Sequence, residues 1–399
     1  MKVINMYSGN VNAQTGIGTV LHTLHEKSKW SNRGIEYNTI SLDGGVKLRK
    51  NINVNKSILK IARGKVRTSW WKLAENHQYF SKKYVEILYL KRAREVIENN
   101  ISILEEADVI LVNDLWSILT LNRYYSNLLV KCCYVNHSDG ELAGFIKEVF
   151  KPLNDSVYYN AIELELESIL GKISHLMVLS ELAKFRVLEK YPFMSGNKIS
   201  VIYNGFSPDN NIDVKINRRL ALHVSGTLCS RKRQYLLVPI MYQLKEYDIE
   251  LHVYGSGPDT NKLVLARDEY KLKDKIQLHG YYEKPYSNFE FGDLFILLSK
   301  KEGFPMAAVE ATSRGCPLIL TNAGGARELI EMTSGVLIEE KNDNDVIKSA
   351  VLAIKKYLDD RDMRLLDAEK AKLGFEGSLT SSIMIERYID MCFLIESKG

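Results

Sequence analysis

The sequence predicts an α/β chain made of two successive units, each a parallel sheet wrapped by crossover helices. Three observations point there. Short, wholly apolar runs of strand length alternate with longer stretches of helical periodicity. The alternation breaks once, at the turn-formers Tyr203-Asn204-Gly205-Phe206-Ser207-Pro208-Asp209, and then restarts. At 399 residues, 45% of them hydrophobic, the chain has length and apolar material for two cores.

In the first half, a strand over Lys2–Tyr7 runs into a small-residue loop from Ser8 to Gly18, and a helix is expected from about Thr19. The runs 107–113, 131–136 and 175–180 read as buried parallel strands. Beyond the break, strands are expected at 220–224, 249–254, 275–279, 294–298 and 317–321. The expected division is 1–204, 205–376 and a last helix in 377–399, with Ile383, Met384, Tyr388, Met391 and Leu394 along one side. Doubly wound sheets bind ligands at the carboxyl ends of their strands, so the loops after the strands are where chemistry is sought.

Bulk properties narrow the class. No stretch reaches the ~18 apolar residues of a spanning helix, and the first residues are too short an apolar run for a secretory signal. A cytoplasmic protein is expected. Five cysteines without ligand spacing read as reduced thiols. Net charge is +5, yet residues 47–94 hold fourteen Lys/Arg against two Asp/Glu. Within that segment, Ile58, Ala62, Val66 and Trp70 recur at four-residue steps between cations, the pattern of a basic amphipathic helix. Either it docks on an anionic membrane surface or acidic acceptor, or it packs on the first sheet with solvated charges. No nucleic-acid motif accompanies it.

Three loops of the second half suit an anionic, hydroxyl-rich ligand. In Val224-Ser225-Gly226-Thr227-Leu228-Cys229-Ser230-Arg231-Lys232-Arg233 a strand ends at Gly226, and three cations follow at an expected helix start. Cations there oppose the helix dipole unless an anion joins them; a solvated basic turn has the same sequence. Gly255 and Gly257 follow the next strand and allow close backbone approach to a ligand, or simply make a turn. In Ser299-Lys300-Lys301-Glu302-Gly303-Phe304-Pro305-Met306-Ala307-Ala308-Val309-Glu310 a buried strand ends and a helix is expected from Pro305. The amides of Met306, Ala307 and Ala308 would form an anion site. Glu302 and Glu310 could accept from sugar hydroxyls, or be an ordinary helix-start and a surface glutamate.

These loops together resemble the retaining glycosyltransferases of family four. The likeness lies in the E-x7-E spacing of Glu302 and Glu310 within Glu-Gly-Phe-Pro…Glu-Ala, and in the later Asn322-Ala323-Gly324-Gly325. The Gly226-Thr227…Arg231-Lys232 loop, Tyr254-Gly255-Ser256-Gly257-Pro258 and the linker 198–205 match in the same order. It covers about residues 170–360 well and the first half weakly. That family has the GT-B fold, two Rossmann-like domains whose parallel sheets face across a cleft. The resemblance implies that Arg231 and Lys232 bind the donor diphosphate, Glu310 the ribose and Glu302 the transferred sugar beside the Gly303–Pro305 backbone. Tyr281 and Tyr282 would lie near the base, Gly16 and Gly18 by the diphosphate and acceptor, and His137 near the reacting sugar.

The co-substrate implied is a nucleotide diphosphate sugar, a UDP-sugar first. The implied acceptor is a glycan or lipid-linked hydroxyl in bacterial surface polysaccharide synthesis, with no metal or other cofactor. Asp343-Asn344-Asp345 and Asp360-Arg361-Asp362 match a metal-binding D-x-D only formally and read as helix-start and surface residues. Many family members have Gly-Arg where this chain has Gly226-Thr227, which moves the expected cation to Arg231. A non-catalytic partner of such an enzyme, or a sugar-nucleotide epimerase of the same fold, is the alternative.

Overall fold

The computed structural model describes residues 1–12, 16–45, 70–208, 219–339 and 342–397. The chain forms two compact units. One comprises Met1–Leu179, Ala183–Ile202 and Ile385–Gly399; the other comprises Ser180–Leu182 and Tyr203–Met384.

The first unit holds strands β1 (Lys2–Tyr7), β2 (Glu36–Ser41), β3 (Val109–Val112), β4 (Cys132–Val135), β5 (His175–Val178) and β6 (Ile199–Val201). They lie in the order β2-β1-β3-β4-β5-β6, and every pairing is parallel. Every residue of β3, β4 and β5 is buried, as strands covered on both faces require. The strand order reverses between β1 and β3, which puts the switch point at Ser8 and Asn113, just past their carboxyl ends. The helix expected from Thr19 spans Gly16–Leu24, so both glycines lie in its first turn. β2 and β6 were not among the expected strands.

Residues 57–69 of the expected amphipathic helix lie outside the described residues, as does the basic segment up to residue 69. Residues 70–76 are helical. Trp70 and Trp71 set their rings edge-on to Tyr84 at 5.4 and 5.3 Å, so here the aromatic side faces the unit's own core. The last helix spans Ser381–Glu396, starting later than residue 377, and belongs to the first unit from Ile385 onward. Met391 Sδ lies 3.8 Å from Cys133 Sγ on β4, and Arg33 pairs with Glu386 at 2.6 Å and Asp390 at 3.5 Å.

The second unit holds β7 (Leu220–Ser225), β8 (Ile249–Tyr254), β9 (Ile276–Gly280), β10 (Leu294–Leu297), β11 (Leu318–Thr321) and β12 (Gly335–Ile338). Their order is β12-β11-β10-β7-β8-β9, again all parallel. The order reverses between β10 and β7, so the two loops richest in candidate residues leave the sheet at its switch point. Asp343 and Arg361 begin helices capped by Asn342 and Asp360, which accounts for both D-x-D matches. Among the described residues no helix is long and apolar enough to cross a membrane, and no three His, Cys, Asp or Glu side chains could hold a metal ion. None of the five cysteines forms a disulfide, and four of them are buried.

Candidate donor site

The loop after β7 turns at Gly226, whose φ is +133°. A β-carbon there would lie 2.9 Å from Lys232 Nζ, so the ammonium rests against the bare glycine backbone. Ser230–Lys232 and Gln234–Leu236 are 3₁₀ turns, and the α-helix expected directly after the cations begins only at Leu237. Arg233 departs from the expectation too. Its left-handed backbone (φ 51°) swings the side chain inward, where it is 1% exposed and donates Nε–H to the Leu298 carbonyl at 2.6 Å. Two cations, not three, therefore serve the loop's outer side.

Both converge on the loop after β10. Glu302 Oε1 lies 3.7 Å from Arg231 Nη1 and 3.5 Å from Lys232 Nζ, and it accepts the Ser299 hydroxyl at 2.6 Å. Arg231 also donates to the Lys301 carbonyl, and its own carbonyl accepts from Lys300 N–H at 2.8 Å. The cations thus lock one switch-point loop to the other. Ion pairs of 3.5–3.7 Å are longer than direct hydrogen bonds, and they leave donor capacity for a second anion.

The helix following Glu302 spans Met306–Thr312, with Pro305 as its uncapped N-cap rather than its first residue. Ala308 N–H donates to the Pro305 carbonyl at 2.9 Å. Of the three amides expected to face an anion, those of Met306 and Ala307 remain. Glu310 is partly buried on this helix. Behind Glu302 and Gly303 runs the Asn322–Gly325 turn. A β-carbon on Gly324 (φ +57°) would fall 1.8 Å from the Glu302 carbonyl, and Gly325 N–H donates to the Gly303 carbonyl at 2.9 Å. Phe304 is buried, its ring 5.1 Å from that of Tyr203 and its carbonyl 3.4 Å from Asn204 Nδ2. It supports the loop instead of presenting its ring.

Gly255 and Gly257 are explained by packing. β-Carbons there would lie 1.9 Å from the Gly226 carbonyl oxygen and 2.3 Å from that of Leu228. On the side where a β-carbon would project, the neighbouring loop fills the space. Tyr281 and Tyr282 follow β9 and are exposed; Tyr282 meets the Tyr254 ring edge-on at 5.6 Å.

In the first unit, Gly16 is exposed and Gly18 buried at the start of their helix. His137, just past β4, is partly buried, and burial lowers its pKa to about 4. Its Nε2 lies 2.9 Å from Asn113 Oδ1, and Asn113 Nδ2 donates to Asn5 Oδ1 at 2.5 Å. Neither asparagine was a candidate by sequence. The available signal was Asn5 itself, a polar residue between Ile4 and Met6 in an apolar strand. Ser299 was missed as a functional side chain as well, although it is the first polar residue after β10.

Comparisons with known proteins agree with this architecture. Over its whole length and that of the match, the chain superposes on a sucrose-phosphate synthase from Thermosynechococcus elongatus with a TM-score of 0.71 at 16% identity. It covers 98% of itself and 99% of an Anabaena protein, HepE, solved with UDP and glucose, with a TM-score of 0.64 at 14% identity. At these identities the likeness shows the fold alone: two parallel-sheet α/β domains of GT-B type. In sequence, 186 residues are 28% identical to an N-acetylgalactosamine-N,N'-diacetylbacillosaminyl-diphospho-undecaprenol 4-alpha-N-acetylgalactosaminyltransferase of Campylobacter jejuni. That match covers 45% of this chain and 49% of the relative, so the chain spans about half the relative's length. Residues 209–372, the stretch that carries Arg231, Lys232, Glu302 and Glu310, match the family described as glycosyl transferases group 1.

Proposed function

We propose that the chain is a retaining glycosyltransferase that moves a hexose or N-acetylhexosamine from a nucleotide diphosphate sugar to a hydroxyl of a glycan or lipid-linked acceptor. The observation that carries this reading is the convergence of Arg231 and Lys232 on Glu302, beside the two open amides of Met306 and Ala307, at the switch point of the second sheet.

Breaking the bond between the anomeric carbon and the diphosphate leaves negative charge on the leaving oxygen. Arg231 and Lys232 stabilise that charge in this scheme, and because both are held beside Glu302 little reorganisation is needed as it develops. Glu302 accepts from the transferred sugar and Glu310 from the ribose. The Tyr281–Tyr282 loop takes the base side. In the first unit the candidate residues are His137 and the Gly16–Gly18 turn.

Retention follows a front-face course. The acceptor hydroxyl attacks from the side the leaving group departs, and its proton passes to the departing phosphate oxygen. A 4-alpha linkage in the name of the Campylobacter jejuni relative, and UDP in the Anabaena structure, support an α-retaining UDP-sugar reading. The fixed cations make a metal unnecessary in this scheme, and transfer is expected to persist in excess EDTA. We place the reaction at the inner face of the cell membrane, with residues 47–94 as the contact to an anionic surface or acceptor.

Thermal stabilisation by UDP, GDP, ADP, TDP and CMP, with Glu310→Ala as control, tests the proposal. One diphosphate should stabilise wild type and not the variant. Stabilisation by none would favour a non-catalytic partner.

A further inference from the structure

We propose that Asn113, held by Asn5, is a positioning residue that locks His137 as the Nε2–H tautomer, so that Nδ1 accepts a hydrogen bond from a hydroxyl of the transferred sugar. The inference rests on the sugar-transfer reading for its ligand, and on the first unit alone for its geometry.

Backbone oxygens fix the orientation of the Asn113 amide. Its Nδ2 lies 3.2 Å from the Met6 carbonyl and 3.3 Å from the Leu111 carbonyl, besides 2.5 Å from Asn5 Oδ1. Carbonyl oxygens only accept, so the amide nitrogen must occupy that end. Oδ1 is then the atom 2.9 Å from His137 Nε2. An amide oxygen cannot donate, so Nε2 must carry the hydrogen. A neutral imidazole holds one N–H proton. Burial keeps this ring neutral through the physiological range, its pKa falling to about 4. Nδ1 is therefore left as a bare acceptor.

The cost of the arrangement argues for a role. Asn5 is fully buried and Asn113 is 2% exposed, on β1 and directly after β3, the two strands at the switch point. Burying two amides in an apolar sheet is unfavourable unless their hydrogen bonds are made, and an apolar pair of similar shape would hold the strands at least as well. What the asparagines add is a direction for one proton. An imidazolium at this place would seek the donor's diphosphate. A neutral ring with its lone pair on Nδ1 cannot, and it selects a hydroxyl donor instead.

The test uses the 399-residue chain labelled with 15N-histidine, with His137→Gln to assign one signal among its eight histidines. Without substrate, His137 should show the Nε2–H pattern, unchanged from pH 8 to pH 5. Asn113→Asp keeps the acceptor but adds a charge, and should bring the His137 midpoint up into that window. The same variant should lower kcat on the order of 10- to 100-fold, with the loss varying with pH while donor KM moves little. A wild-type ring that is Nδ1–H, or that titrates at an ordinary midpoint, overturns the lock. A correct tautomer with undiminished transfer by both His137→Gln and Asn113→Asp overturns the role and leaves the transferase reading standing. Failure of the wild type to use any nucleotide diphosphate sugar removes the hydroxyl ligand, while the spectrum still decides the tautomer.

Discussion

Arg231 and Lys232 share one carboxylate oxygen, and that sharing sets what each contributes. Removing either leaves Glu302 with a single cation and, in the proposed mechanism, less charge opposite the leaving phosphate. Arg231→Ala and Lys232→Ala are each expected to lower kcat/KM by about 10²-fold, the usual effect of losing one charge-stabilising donor; steady-state kinetics with the cognate donor measure this. His137 predicts a pH effect of definite sign. Its folded pKa of about 4 lies below the unfolded value near 6.5, so the unfolded chain binds the extra proton first. The contribution is fully present above pH 6.5 and is lost as pH falls toward 4, by up to about 3 kcal/mol. Urea unfolding of wild type and His137→Gln across pH 4–7 should show the wild type losing more.

At the scale of elements, glycines hold the site loops together. Gly255→Ala must place a methyl group 1.9 Å from the Gly226 carbonyl at a φ of +141°. Gly324→Ala does the same to the Glu302 carbonyl. Each should cost at least about 2 kcal/mol and weaken donor binding; chemical denaturation and nucleotide titration read the two effects separately. These elements also show what the sequence disclosed. Central strands such as β3 and β10 are covered on both faces and are apolar throughout, so they were legible. The strands that escaped, β2, β6 and β12, are all sheet edges in which buried residues are interrupted by partly or fully exposed ones. An edge strand needs no continuous apolar run. The paired glutamates and the cation loop were legible because their spacing is local. Arg233 was misread because one left-handed residue reverses a side chain. Asn5 and Asn113 were missed because they meet across 108 residues through sheet register.

For the whole molecule, the return of the last helix governs stability. Its residues from Ile385 onward belong to the first unit, where Tyr388, Ile389 and Cys392 are fully buried. A chain ending at Met384 loses those side chains and both partners of Arg33. It is expected to unfold its first unit well below the wild-type temperature. A nucleotide held only by second-unit groups should still bind. Calorimetry of the truncated chain, with and without nucleotide, distinguishes the two effects.

That same return orders the chain's birth. Domains emerging from a ribosome usually fold in the order they are made, at about 5–20 residues per second. Here the unit made first waits for a segment made after the second unit, because residues 203–384 must be synthesised before Ile385 appears. At that pace the interval is about 10–40 s. Through it, β4 lacks the helix that covers Cys133. The second unit has no such dependence and can be finished while its predecessor is still open.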